Sequence, residues 1–209
     1  MSTSMMSTHR CYYVVLLGIL SAAFVWSAIH PADRLTWALE VAPVVIALPV
    51  LFVTYRSFVF TPLVYTLILI HALILLVGGH YTYAEVPLFN WLRDTYELSR
   101  NYYDRVGHFA QGFVPAMVAR EILLRKSPLV AGRWLFFIVS CICLSISACY
   151  EFIEWWVAAY EGGAADAFLG TQGDVWDTQW DMLMALVGAL AAQTFLATLH
   201  DRQMMNVSR

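Results

Sequence analysis

Asp174, Asp177 and Asp181 stand at i, i+3 and i+7 in the stretch Gly170-Thr171-Gln172-Gly173-Asp174-Val175-Trp176-Asp177-Thr178-Gln179-Trp180-Asp181, which opens directly into a hydrophobic run. On a helix these carboxylates fall within about 60° of one another. Like charges on one stripe repel, and at the mouth of a membrane helix they also lose hydration. A metal ion or a cationic partner is the natural compensation. Asp174 is placed to cap the helix after Gly173, and Asp177 would favour the dipole of its first turn. Neither structural role covers Asp181.

Two further clusters have spacings that place them on one helix face. Asp104, His108 and Gln111 lie at i, i+4 and i+7, and Glu151 and Glu154 at i and i+3. Oxygen ligands with one imidazole suit Mg²⁺, Mn²⁺, Ca²⁺ or Zn²⁺. Such an ion could hold a phosphate or activate water, with a spare carboxylate as base. His108 and Asp104 would then be a base and its orienter, or a ligand and its hydrogen-bonded support. Glu151, Glu154, Asp177 and Asp181 are the candidate metal ligands, and Gln111 and Asp174 complete the polar set. Without a metal, neighbouring carboxyl groups would share protons, as a proton-coupled carrier needs. The bland readings are snorkelling for Glu151 and Glu154, a buried neutral imidazole for His108, and core packing for His71. No P-loop, G-x-S-x-G or H-E-x-x-H motif occurs.

The elements that must position these residues are membrane helices. The chain is 60% hydrophobic and only 13% charged, with a mean hydropathy of +0.64. A soluble domain is nearer 45–50% apolar and about 25% charged. Nothing forms a basic nucleic-acid surface. Apolar runs predict an all-α bundle in one integral membrane domain, with six spans at about 12–29, 35–54, 58–77, 105–124, 134–159 and 182–199. Gly78-Gly79 is expected to end the third span. The fourth is the weakest by hydropathy, holding Arg105, His108, Gln111, Arg120 and Glu121. A short amphipathic helix is expected around Leu88 to Leu98 within an aromatic segment at headgroup level, and a Gly- and Ala-rich loop over Glu161 to Gly173. With both termini inside, the cytoplasmic ends hold Arg10, Arg56, Arg120, Arg125, Lys126, Arg133, Arg202 and Arg209, against Arg34, Arg93, Arg100 and Arg105 outside. That N-in/C-in topology puts all three polar clusters on the outer side. Cys11, Cys141, Cys143 and Cys149 have no metal or redox spacing and read as small packing residues. Gly107, Gly112 and Gly188 are expected to permit close helix contact.

Asp104-Arg105-Val106-Gly107-His108-Phe109, Glu151-Phe152-Ile153-Glu154-Trp155 and Leu169-Gly170-Thr171-Gln172-Gly173-Asp174-Val175-Trp176-Asp177 resemble the YjdF-type family of bacterial inner membrane proteins over the full length. That resemblance implies the location and no reaction. A wider resemblance is to VanZ-like proteins, carried by Asp104, His108 and Phe109, then Glu151 or Glu154, then Asp177, Asp181 and Gly188. It implies a role at the cell envelope. VanZ-like proteins usually carry Asn where this chain has Asp181. The spacing of Asp174, Asp177 and Asp181 is also similar to that of membrane prenyltransferases, which bind Mg²⁺-diphosphate, but their second Asp-rich motif is missing.

The sequence therefore reads as a multi-pass inner membrane protein with an outward-facing acidic and histidine site. The expected ligands are a divalent metal ion and a lipid or envelope headgroup, with membrane lipids as partners. A small proton-coupled transporter, with Glu40, His71 and Glu121 along its path, and a structural membrane protein without chemistry are the alternatives.

Overall fold

The computed structural model describes the backbone of residues 3–161 and 170–207 and the side chains of 11–160 and 170–205. Most of the expected loop over Glu161 to Gly173 lies outside the described residues. Within them the chain forms seven α-helices and no strand: α1 (Thr3–Ala28), α2 (Arg34–Thr54), α3 (Pro62–Tyr81), α4 (Pro87–Thr95), α5 (Tyr103–Lys126), α6 (Arg133–Glu161) and α7 (Asp177–Val207), with a 3-10 turn at Tyr83–Glu85. α1, α2, α3, α6 and α7 are long and apolar enough to cross a membrane. Their outer faces carry exposed Phe52, Val53, Trp134 and Phe195, as expected for side chains solvated by lipid.

Local chemistry explains the helix starts. Asp33 caps α2 by accepting the Thr36 N–H at 2.7 Å, and that bond holds its carboxyl below the usual carboxylate range. Thr61 caps α3, and Pro62 follows at the first helical position. α3 therefore starts later than the apolar run at Phe58. It also continues through Gly78-Gly79 instead of ending there. These glycines serve packing: a Cβ on Gly78 would collide with the Tyr83 ring, and one on Gly79 would lie 3.2 Å from Val41. α4 is the short helix expected in the aromatic segment, ending at Thr95.

α5 is the centre of the arrangement. It packs against α3, α6 and α7, and its charged and small residues are buried by those neighbours. That explains its low hydropathy, because little of it has to satisfy lipid. α5 and α7 run parallel, pairing Arg105 with Asp181 at one end and Arg120 with Asp201 at the other. Between these pairs the backbones touch. A Cβ on Gly112 would collide with the Ala185 carbonyl oxygen, and one on Gly188 with that of Phe109. The expectation for Gly112 and Gly188 holds, whereas Gly107 faces the Tyr83 ring.

The apolar core beside this contact contains Val64, Val114, Met117, Leu135, Val139 and Ala189. At one end of it, Glu121 accepts the Thr61 N–H at 3.0 Å, the Thr61 hydroxyl at 2.8 Å and Arg125 Nη1 at 2.6 Å. Arg120 Nη1 donates to His200 Nδ1 at 2.8 Å, so His200 Nε2 carries the hydrogen it gives to Glu121 at 2.9 Å. This saturated network ties α3, α5 and α7 together.

Gly112→Val and Gly188→Val are expected to destabilise the protein by at least about 1–3 kcal/mol, the scale of an overpacked core, read as loss of the monodisperse peak and of thermal stability in mild detergent. Gly18→Ala is the control, because nothing lies within 4 Å of a Cβ there, and it should be neutral or stabilising.

Candidate functional site

At the opposite end of α5, the three clusters meet. Tyr103 opens the helix, and its hydroxyl donates to the Ile74 carbonyl at 2.9 Å, fixing α5 against α3. One turn of α5 then presents Asp104, Arg105 and His108 to α6 and α7. The segment before α7 is shaped by left-handed Gly170, Gln172 and Gly173. This turn lets the Gln172 amide exchange two 2.9 Å hydrogen bonds with the Asn101 backbone. α7 begins at Asp177 rather than after Asp174, whose carboxylate accepts the Trp176 N–H at 2.9 Å in the preceding turn.

The aspartate stripe is compensated by two arginines. Arg100 pairs with Asp177, with Asp104 at 3.2 Å and with Asp174 at 3.6 Å. Arg105 pairs with Asp181, with Asp177 at 2.6 Å, and with Asp104 and Asp174 at 3.2 Å each. Arg100, Asp104, Arg105, Asp177 and Asp181 are buried, while Asp174 remains partly accessible. An open pocket of about 620 Å³ borders this layer, lined by both arginines, Asp174, Gln172, Tyr102 and Trp180.

His108 joins the stripe to the glutamates of α6. Its Nε2 lies 3.5 Å from Asp104 and 3.6 Å from Asp181. Its Nδ1 lies 3.1 Å from Gln111 Oε1 and 3.8 Å from Glu151 Oε1. Both edges of the ring thus face oxygen acceptors. Two sets of ligand atoms lie within 4.8 Å of one another: Asp104, His108 and Asp181, and His108, Glu151 and Glu154. Glu151 Oε1 is buried without a hydrogen-bond partner. Beyond His108 a chamber of about 250 Å³ is lined by Glu40, Tyr83, Asp104, Gln111, Tyr150 and Glu154, among others. Burial pushes the Tyr83 phenol well above its ordinary range, so this hydroxyl keeps its proton.

Of the residues singled out in the sequence, Asp104, His108, Gln111, Glu151, Glu154, Asp174, Asp177 and Asp181 all converge here. Glu40 and His71 line the chamber, whereas Glu121 belongs to the separate network around His200. Arg100, Arg105, Tyr83 and Tyr150 were missed as site members. The arginines had a signal: three aspartates on one stripe need cations, and Arg34, Arg93, Arg100 and Arg105 were the basic residues expected on the same side. The aromatic residues had none, because packing alone brings Tyr83 and Tyr150 to the chamber.

Fold and site together define a multi-pass helical membrane protein with a buried acidic site built on arginine and histidine. The chain belongs to the family described as "Predicted membrane protein (DUF2238)", whose model matches residues 12–202. A relative in Escherichia coli (strain K12), named "Inner membrane protein YjdF", is 52% identical over 185 residues, covering 88% of each chain. The bacterial inner membrane expected from the sequence agrees with that name. No solved structure matches the chain.

Arg105→Ala would leave buried carboxylates uncompensated, with an expected cost of about 3–5 kcal/mol. Adding Asp181→Asn to that variant should recover part of the loss. Denaturation in detergent of the two single variants and the double measures the coupling; additive effects would mean that this pair does not form.

Proposed function

We propose that the protein is a six-span membrane protein, N-in and C-in, that holds a divalent metal ion and a lipid or envelope headgroup at the outer end of its bundle. Two observations support α5 as the sixth span: its 24-residue length and its direction, antiparallel to α3 and α6 and parallel to α7. The excess of basic residues at the Thr54, Lys126 and Arg133 ends supports the orientation.

The observation that carries the site reading is the environment of His108. An imidazole with oxygen acceptors on both edges suits a cation there, either a second ring proton or a metal ion. The unpartnered Glu151 oxygen favours the ion. His108, Glu151 and Glu154 would hold it, with Asp181 and Asp104 on the other edge of the ring. Asp177 contributes by fixing Arg100 and Arg105. A bound ion would polarise a headgroup or lower the pKa of a water. Asp104, 3.5 Å from the far ring nitrogen, would orient His108 as a ligand, and the buried walls would exclude bulk water. In this reading the protein is hydrolytic or group-transferring at the membrane surface. The similarity to VanZ-like proteins points the same way, to the envelope. A second reading, proton coupling through the same carboxyl groups, is favoured by Glu40 and His71 in the chamber. The separate, saturated network at Glu121 argues against a polar path across the inner half.

Metal content of the purified protein in mild detergent tests the site. Wild type is expected to carry, or bind on addition of Mg²⁺, Mn²⁺, Ca²⁺ or Zn²⁺, close to one ion per chain. His108→Ala, Glu151→Gln and Asp181→Ala should lose it, and Asp174→Asn should retain it. A folded wild type that binds none of the four overturns the metal reading and leaves the proton reading.

A further inference from the structure

The chamber is not closed toward the membrane. Pro43, His71, Leu75 and Pro115 line both it and a second cavity of about 500 Å³. This second cavity is a groove between α2 and α5, floored by α3. It passes Ala47 and Val118 and reaches Thr54 and Ile122. Apart from Thr54 and His71, every side chain lining it is apolar. Val50 and Ile122 at its margin are exposed, so the groove opens sideways to lipid. From Pro43 to Thr54 it spans roughly 16 Å of helix rise, about half of a ~30 Å hydrocarbon core. A hydrocarbon chain fits that length and chemistry.

The polar end restricts the head that such a chain can carry. Glu40, Asp104 and Glu154 line the chamber, and no lysine or arginine lines it among the described residues. Pro43 and Pro115 lack an N–H, so each releases the carbonyl one turn earlier, on Leu39 and Gln111. The junction is therefore rich in acceptors, and only the imidazoles of His71 and His108 can carry positive charge there. In the whole site, the carboxyl groups of Glu40, Asp104, Glu151, Glu154, Asp174, Asp177 and Asp181 outnumber the basic side chains Arg100, Arg105 and His108. An anionic head would find few donors there, whereas an ammonium group would meet acceptors.

A second lipid-facing groove supplies the comparison. It runs between α1 and α2, encloses about 670 Å³ and is lined by Leu16, Leu17, Leu48, Phe52 and Tyr65, among others, with no carboxylate or histidine. Bulk lipid would fill it without selection. The α2–α5 groove differs in ending at charged side chains.

We propose that groove and chamber together hold one membrane amphiphile that enters sideways from the bilayer, its hydrocarbon chain along α2 and its ammonium-bearing head among Glu40, Asp104 and Glu154. This deepens the reading of the site as a cation site and names the ligand class.

The test uses the full chain in nanodiscs of phosphatidylglycerol, a lipid without an ammonium group. The probe is a long-chain primary amine with a diazirine in its chain, beside the carboxylic acid of the same chain. Irradiation should attach the amine to peptides of α2 and α5 that line the groove, saturably, and unlabelled amine should compete. The acid should label weakly. Ala47→Phe and Val118→Phe, which fill the groove from two different helices, should each cut amine labelling by roughly tenfold, the scale of a change in pocket fit. Leu17→Phe, in the other groove, should not. Glu40→Gln should narrow the difference between amine and acid. Equal labelling by the two probes, or labelling that survives both groove variants, overturns the proposal. Metal binding measured on the same samples keeps the two readings apart. Metal bound without saturable labelling sinks the amphiphile and spares the metal; saturable labelling in a protein that binds no metal does the reverse.

Discussion

Charge compensation in a medium that does not hydrate charge is the constraint on which the rest of this structure depends. Asp104, Asp174, Asp177 and Asp181 meet Arg100 and Arg105 where α5 and α7 begin. Each carboxylate would be costly alone at that depth. Sharing two guanidinium groups among four aspartates gives each carboxyl group a partner. The ring nitrogens of His108, the Tyr83 and Tyr150 hydroxyls and the carboxyl groups of Glu40, Glu151 and Glu154 gather behind this layer.

Holding such a layer requires α5 and α7 to approach closely and without slippage. Gly112 and Gly188 allow backbone-to-backbone contact, and dispersion between closely packed helices replaces the hydrophobic drive that lipid does not provide. The ion pairs at one end and the Glu121–His200–Arg120 network at the other fix the register of the two helices. Small residues thus set the distance and charged residues the alignment. The rigidity this gives is what a preorganised site needs. The turn at Gly170 to Gly173 adds a third constraint by clasping Asn101, the residue beside Arg100.

Much of this architecture was legible in the sequence, because long apolar runs have few alternatives in a bilayer. The spans on α1, α2 and α6 fall where hydropathy put them. α3 was displaced because a local cap, Thr61-Pro62, outweighs the apolar Phe58 to Phe60, and because Gly78-Gly79 serves packing as well as a helix stop would serve it. The aspartate stripe, Asp104, His108 and the two glutamates were legible as single-helix patterns, and their convergence followed from placing three helix ends on one side. Arg100 and Arg105 were read only as markers of topology. Their partners lie more than 65 residues away along the chain for every pair with α7, and helical spacing carries no information at that range. The same limit hid Tyr83, whose place against Gly78 and Gly107 depends on two elements meeting.

The parallel pairing of α5 and α7 has a consequence for biosynthesis. Two adjacent parallel helices cannot be neighbours in sequence; α6 must come between them and run back. α5 therefore leaves the ribosome a full helical hairpin ahead of the partner that neutralises Arg105 and buries Gly112. Until α7 arrives, Arg100 and Arg105 lack the counter-charges of Asp177 and Asp181, and a buried charge left without its partner is costly. A later helix thus decides whether an earlier one is neutralised, and α5 without α7 would lack the partner that compensates Arg105 and packs against Gly112.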